Sequence, residues 1–122
     1  ESLAVAIDVL AMGDGEKWLV LGDMGELGDT AAQLHREAGR RARQAGVDRL
    51  FTLGELAAEA LAGFGDGTAC ATHDELVDAL RAGLHEGVQV LVKGSRRMRM
   101  EQVVERLGAR VRGTAAHSEA RH

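Results

Sequence analysis

Leu3, Ala6, Ile7 and Leu10 fall three and four residues apart, the spacing of one face of an α-helix. Ser2 stands where an N-cap belongs and Gly13 where a helix stops. After a turn over Gly13-Asp14-Gly15-Glu16 the period changes. Trp18-Leu19-Val20-Leu21 is a continuous apolar run closed by Gly22, the pattern of a strand covered on both faces. Asp23 to Asp29 reads as a loop. Thr30 and Gln33 have capping-box spacing and open a helix running through Ala45, with Leu34, Ala38, Ala42 and Ala45 on one side and Arg36, Arg40 and Arg43 on the other. Gly46 ends it.

The alternation continues. A strand is expected over residues 48–53, centred on Leu50 and Phe51, and a helix over 55–62. Gly63 to Gly67 punctuates the chain before a brief strand over 68–71. Thr72 and Glu75 repeat the capping box ahead of a helix that places Leu76, Leu80 and Leu84 on one face and stops at Gly87. Val88-Gln89-Val90-Leu91-Val92 is the strongest strand signal. Gly94-Ser95 turns the backbone, and Met100, Val103, Val104 and Leu107 mark a last helix. A short strand over 110–112 and a polar tail over 114–122 are expected beyond it.

Strands separated by helices pair in parallel, so the pattern predicts an α/β fold, a three-layer and mostly parallel sheet with helices on both faces. One domain is expected over residues 1–113. The pattern opens on a helix where a strand–helix unit would be complete, so a first strand upstream of Glu1 is expected to be missing.

Composition narrows the function classes. The chain has 122 residues, 45% apolar and 28% charged, which suits one globular domain. Its 15 basic and 19 acidic side chains leave a net charge of -4, and two Phe, one Trp and no Tyr leave few rings for base stacking. Nucleic acid is therefore not an expected partner. Membrane insertion is not expected either, since no apolar run has the length of a membrane helix. Cys70, the one cysteine, forms no internal disulfide and no thiolate metal cluster.

In open parallel sheets ligands sit beyond the carboxyl ends of the strands, and two loops there carry candidate chemistry. After the first strand, Asp23, Glu26 and Asp29 gather three carboxylates. They could hold an ammonium group or a divalent cation; equally, acids suit turns and helix starts. His35 follows and reads first as a hydrogen-bonded surface or boundary histidine. After the strongest strand comes Lys93-Gly94-Ser95-Arg96. There Ser95 could cap the last helix, whose free N–H groups favour an anion, and Arg96 could grip a carboxylate or phosphate. The alternative is a solvated strand end beside a basic surface. Neither loop has the glycine order of a Walker or dinucleotide motif. Cys70 and His73 lack a third catalytic partner, and His85, His117 and His122 read as surface groups. An acidic and a basic loop at one sheet edge suit a zwitterion, and positioning suits them better than proton or group transfer.

Val20-Leu21-Gly22-Asp23-Met24-Gly25-Glu26-Leu27-Gly28 and Val90-Leu91-Val92-Lys93-Gly94-Ser95-Arg96 are distinctive, as is Met100-Glu101-Gln102-Val103-Val104 after them. With His35 and Gly46-Val47-Asp48 between, they closely resemble the C-terminal domain of the Mur ligases, in the branch that adds D-alanyl-D-alanine. The resemblance runs from Ser2 to about Leu107. It implies a Rossmann-like domain of a bacterial, cytoplasmic ligase of cell-wall precursors. In that family an N-terminal domain holds the UDP-muramoyl tripeptide, a central domain binds ATP and magnesium, and the C-terminal domain closes over them. ATP converts the tripeptide carboxylate to an acyl phosphate, which the dipeptide amine attacks.

Position by position, the resemblance assigns substrate-binding roles to Asp23, Met24, Glu26, His35, Lys93, Gly94, Ser95 and Arg96, and no catalytic or metal-binding residue. The family's phosphate loop and magnesium ligands, and its asparagine–proline segment ahead of Ser2, are not in this sequence. ATP and magnesium are therefore expected to serve the full-length enzyme without binding this domain tightly, and the domain alone is expected to be inactive. Two rivals use the same loops: a small anion- or nucleotide-binding regulatory module, and a purely structural domain.

Overall fold

The computed structural model describes residues 2–25 and 30–108. Helix α1 (Leu3–Ala11) starts at Ser2, whose hydroxyl accepts the Val5 amide at 3.1 Å. Strand β1 (Glu16–Gly22) begins two residues before the expected apolar run, because Glu16 and Lys17 pair with Val88 and Gln89. Then come α2 (Ala31–Ala45), β2 (Arg49–Leu53), a 3-10 turn (Ala57–Glu59) running into α3 (Ala60–Phe64), and β3 (Thr68–Cys70). Helix α4 (His73–Gly83), β4 (Val88–Lys93), a second 3-10 turn (Arg96–Met98) and α5 (Glu101–Leu107) complete the described chain.

The four strands lie in the order β3-β2-β1-β4, and every neighbouring pair is parallel. Alternate residues of the central strand feed two cores. Trp18 and Val20 pack with Leu76, Leu80 and Val103 under α4 and α5. Leu19 and Leu21 pack with Ile7, Ala42 and Phe64 under α1, α2 and α3. The fold is the expected three-layer α/β sheet. Each large apolar side chain removed from water contributes about 1.5–3 kcal/mol, so β1, apolar on both faces, is the axis of the domain. Trp18 packs against a helix, with α4 over it at Gly83, and its ring lies 5.1 Å from that of Phe51. The Arg49 guanidinium covers both rings at 4.8 Å.

Several local expectations give way to packing. Thr30 has helical backbone angles and makes no side-chain cap, so the first capping box is not formed. The buried face of α2 is Ala31, His35, Ala38, Gly39 and Ala42; Leu34, expected on that face, is 44% exposed. At α4 the Thr72 hydroxyl does cap the Glu75 amide at 3.1 Å, while the Glu75 carboxylate accepts from Ala71, one residue before the cap. That helix stops at Gly83, four residues short of Gly87, with Leu84 turning to extended backbone.

The helix expected over 55–62 begins at Ala57 and runs to Phe64, so Gly63 lies inside it. The cause is close packing. A Cβ at Gly63 would stand 1.9 Å from the Arg36 carbonyl oxygen, and one at Gly39 would stand 1.9 Å from the Ala60 carbonyl oxygen. Helices α2 and α3 thus touch backbone to backbone through a glycine from each. The expected strand over 110–112 and tail over 114–122 lie outside the described residues, as do His117 and His122.

Candidate functional site

Parallel register sets the geometry. Leu21 of β1 stands beside Lys93 of β4, so both strands leave the sheet at the same, carboxyl end. The loops that follow are joined at once: the Ser95 amide donates to the Asp23 carbonyl at 2.9 Å. Gly22 and Gly94 make this approach possible. A Cβ at Gly94 would lie 3.3 Å from the Gly22 Cα and 2.6 Å from the Met100 Cγ, and one at Gly22 would lie 2.8 Å from the Met100 sulfur. The buried Met100 side chain therefore covers both glycines, a role at the site beyond the core packing its sequence position suggests.

Asp23 is held from a third direction. Its Oδ1 accepts the Ala57 amide at 2.7 Å, so it caps the 3-10 turn after β2 from outside that turn. Gly54 makes room for it. A Cβ there would meet the carboxylate at 2.4 Å, and its φ of +108 disfavours any side chain. Gly54 and Ala57 are thus part of the site's frame, although nothing in their spacing marks them. One carboxylate oxygen of Asp23 serves the fold, in keeping with the turn and helix-start reading of that residue. Glu26 and Asp29 lie outside the described residues.

His35 is 2% exposed, which corrects the expectation of a surface or boundary group. It reaches from the first turns of α2 back to the acidic loop. Its Nε2 accepts the Met24 amide at 3.0 Å, and its Nδ1 lies 2.6 Å from the Ala31 carbonyl oxygen. On the basic loop, Arg97 donates to the Gly25 carbonyl at 3.3 Å and forms a second tie between the loops.

Lys93 is also 2% exposed and is not the solvated strand end considered above. Nor does Ser95 cap the last helix. A short 3-10 turn begins there, Arg99 adopts a left-handed φ of 52, and α5 starts afresh with Met100 as its N-cap. The last helix therefore starts at Met100 and not at Ser95. Ser95 Oγ and Glu101 Oε1 are buried with no hydrogen-bond partner. Arg96 and Arg97 are exposed on the rim. His73 anchors this rim to α4, donating through Nε2 to the Met98 carbonyl at 2.8 Å. Cys70 is buried, and burial first and Glu75 second push its thiol above the ordinary value, which suits a packing role.

Guanidinium groups on a rim whose backbone is tied at several points suit recognition of a carboxylate or phosphate. Among the described residues no group of three or more His, Cys, Asp or Glu could hold a metal ion, and no helix is long and apolar enough to cross a membrane. A mainly apolar groove of about 320 Å³ opens between α1 and α2 and is lined in part by Met24 and His35.

Residues 1–96, which include both loops, match the family described as Mur ligase, glutamate ligase domain. The chain belongs to the Mur ligase family. This Mur ligase domain is 36% identical over 108 residues to the UDP-N-acetylmuramoyl-tripeptide–D-alanyl-D-alanine ligase of Escherichia coli strain K12, covering 87% of the chain and 24% of that protein. It is 39% identical over 101 residues to the Bacillus subtilis strain 168 ligase of the same name, covering 78% of the chain and 22% of the relative. Among solved structures it resembles MurF from Acinetobacter baumannii, with a TM-score of 0.75 at 32% identity over 87% of the chain and 25% of the other. It also resembles the MurF ligase of Thermotoga maritima in complex with ADP, with a TM-score of 0.71 at 25% identity over 84% of the chain and 24% of the other. The chain spans about a quarter of the length of the curated relatives it matches.

Proposed function

We propose that this domain is the C-terminal part of an ATP-dependent ligase that joins D-alanyl-D-alanine to UDP-N-acetylmuramoyl-tripeptide, and that its tied loops help to position the dipeptide and the nucleotide. The observation that carries the reading is the bond from Ser95 to Asp23. It fixes the Gly22-Asp23-Met24 turn against Lys93-Gly94-Ser95-Arg96 at the carboxyl end of the sheet. The names of the relatives supply the reaction.

Binding falls to Asp23, Met24 and Glu26 on one loop and to Lys93, Gly94, Ser95 and Arg96 on the other, with His35 supporting the first loop from behind. Arg96 suits the dipeptide carboxylate or a phosphate, because a guanidinium offers paired donors to paired oxygens. Holding the amine in line with its target reduces the entropy cost of a bimolecular step. When bound, ATP with magnesium activates the tripeptide carboxylate. The family resemblance assigns nucleotide and magnesium to a central ATPase domain of the same polypeptide. The UDP precursor is assigned to an N-terminal domain of the same polypeptide. The isolated domain is inactive on this reading.

The test uses the full-length protein carrying this domain, with ATP, magnesium, the UDP-tripeptide and either D-alanyl-D-alanine or D-glutamate. Phosphate release that needs the dipeptide is expected, and Arg96→Ala should raise the dipeptide KM about tenfold, in line with loss of a charge-assisted hydrogen bond. Turnover with glutamate in place of the dipeptide, or phosphate release by the isolated chain, would overturn the reading.

A further inference from the structure

We infer that His35 is a positioning residue that clamps the acidic loop through a single tautomer, and that it touches no ligand itself. The inference deepens the proposed function and rests on it for the identity of the ligand. Three observations carry it. The imidazole is 2% exposed and both of its nitrogens are engaged by backbone groups, so it has no polar atom left to offer a ligand at the loop rim. Its Nε2 faces the Met24 backbone N–H at 3.0 Å, and a backbone N–H has only a proton to offer. Its Nδ1 faces the Ala31 carbonyl oxygen at 2.6 Å, which has only lone pairs to offer.

The partners dictate the proton's place. Nε2 must be bare to accept from Met24, so the proton sits on Nδ1 and is donated to Ala31. Both polar atoms of the ring are satisfied inside the fold, as burial requires. A second proton on Nε2 would set two N–H groups against each other and release Met24.

Met24 is the residue through which that clamp matters. The residue before it, Asp23, accepts from Ser95 through its carbonyl and from Ala57 through its carboxylate. The residue after it, Gly25, accepts from Arg97. Three consecutive residues are thus pinned to the basic loop, to the loop after β2 and to α2. His35 supplies the pin from α2, the one scaffold contact among them that comes from a long helix. Without it the turn keeps its ties to the two loops and loses its fixed distance from the helix face. The expected result is a looser binding rim with unchanged chemistry.

The test has two arms. In the 122-residue chain, nitrogen-15 NMR of the His35 ring should show the Nδ1–H tautomer. His35→Leu should shift the Met24, Gly25 and Ser95 amide resonances while leaving those of β1 and β2 in place. In the full-length ligase, His35→Leu should raise the D-alanyl-D-alanine KM about fivefold to tenfold with kcat within about twofold, the size of one lost hydrogen bond. His35→Gln, whose side-chain oxygen lies as many bonds from Cα as Nε2 does, should restore KM to within about threefold. An Nε2–H tautomer, a Gln variant as impaired as the Leu variant, or a loss confined to kcat would overturn the inference. The NMR arm needs no substrate, so its failure leaves the proposed reaction standing, whereas loss of dipeptide-dependent turnover in the unmodified enzyme would sink the reaction and leave the clamp.

Discussion

The amide of Ser95 donates to the carbonyl of Asp23 across 2.9 Å, and through that bond the loops leaving β1 and β4 form one rim before any ligand arrives. The tie is between backbone atoms, so it survives most changes of side chain. What holds Asp23 in place to accept it is a side chain: its own carboxylate, bound to the Ala57 amide at 2.7 Å.

Asp23→Ala should therefore destabilise the domain by about 1 kcal/mol, the usual cost of losing an oxygen that caps a helical turn. Asp23→Asn keeps an oxygen in that place and should lose less than half as much. Urea unfolding followed by circular dichroism measures both. Equal losses in the two variants would show that the negative charge, and not the acceptor, holds the turn.

Gly39→Ala and Gly63→Ala should each cost about 1–3 kcal/mol, because the added methyl meets backbone and cannot be relieved by a rotamer change. In both cases the atom met is a carbonyl oxygen 1.9 Å away. Gly13→Ala is the control. Its Cβ would meet the flexible Gln89 side chain, and it should stay within about 0.5 kcal/mol of the parent. Thermal unfolding of the three variants separates the cases.

A surface pair links pH to stability at the other end of β1. His85 donates to the Glu86 carbonyl at 2.7 Å and to the Glu16 carboxylate at 3.2 Å, and these two acceptors, Glu86 first, hold its pKa above the ordinary imidazole value. The Trp18 indole N–H, 2.7 Å from Glu16, is the larger cause and His85 a smaller one of a Glu16 pKa below its ordinary value. The signs follow by linkage. The His85 contribution is full below the unfolded-state pKa and fades as pH rises through the folded one. The Glu16 contribution is full above its unfolded-state pKa and fades as pH falls through the folded one. Stability from this cluster is thus greatest in mildly acid solution, between the two transitions. NMR titration should find His85 above about 6.5, and Glu16→Gln should move it down. A His85 midpoint unmoved in that variant would remove Glu16 from the account.

How much was legible depended on how local the cause was. The alternation of apolar runs and helical spacings marks each strand and helix of the described chain, because burial on one face or both writes a period into the sequence. The ends were less legible. Thr30 and Ser95 have the chemistry of caps, yet neither side chain makes a cap bond, and the Ser95 amide is tied instead to Asp23 on the other loop. Of the two loops, the glycines and charges stand out in the sequence, whereas Met100 over both glycines and Gly54 under Asp23 do not. The contacts of Met100 with Gly22 and of Gly54 with Asp23 join residues dozens of positions apart and leave no period behind.

The sequence by itself determined the layered α/β architecture, the two charged loops and the family they resemble, because hydrophobic period and short motifs are properties of neighbouring residues. Tertiary structure alone decided that Leu21 stands beside Lys93, that Gly39 and Gly63 let two helices meet, and that His35 is buried with one allowed tautomer. Register, backbone approach and proton position depend on which distant groups packing brings within about 3 Å of one another, and hydrogen bonding is decided at that range.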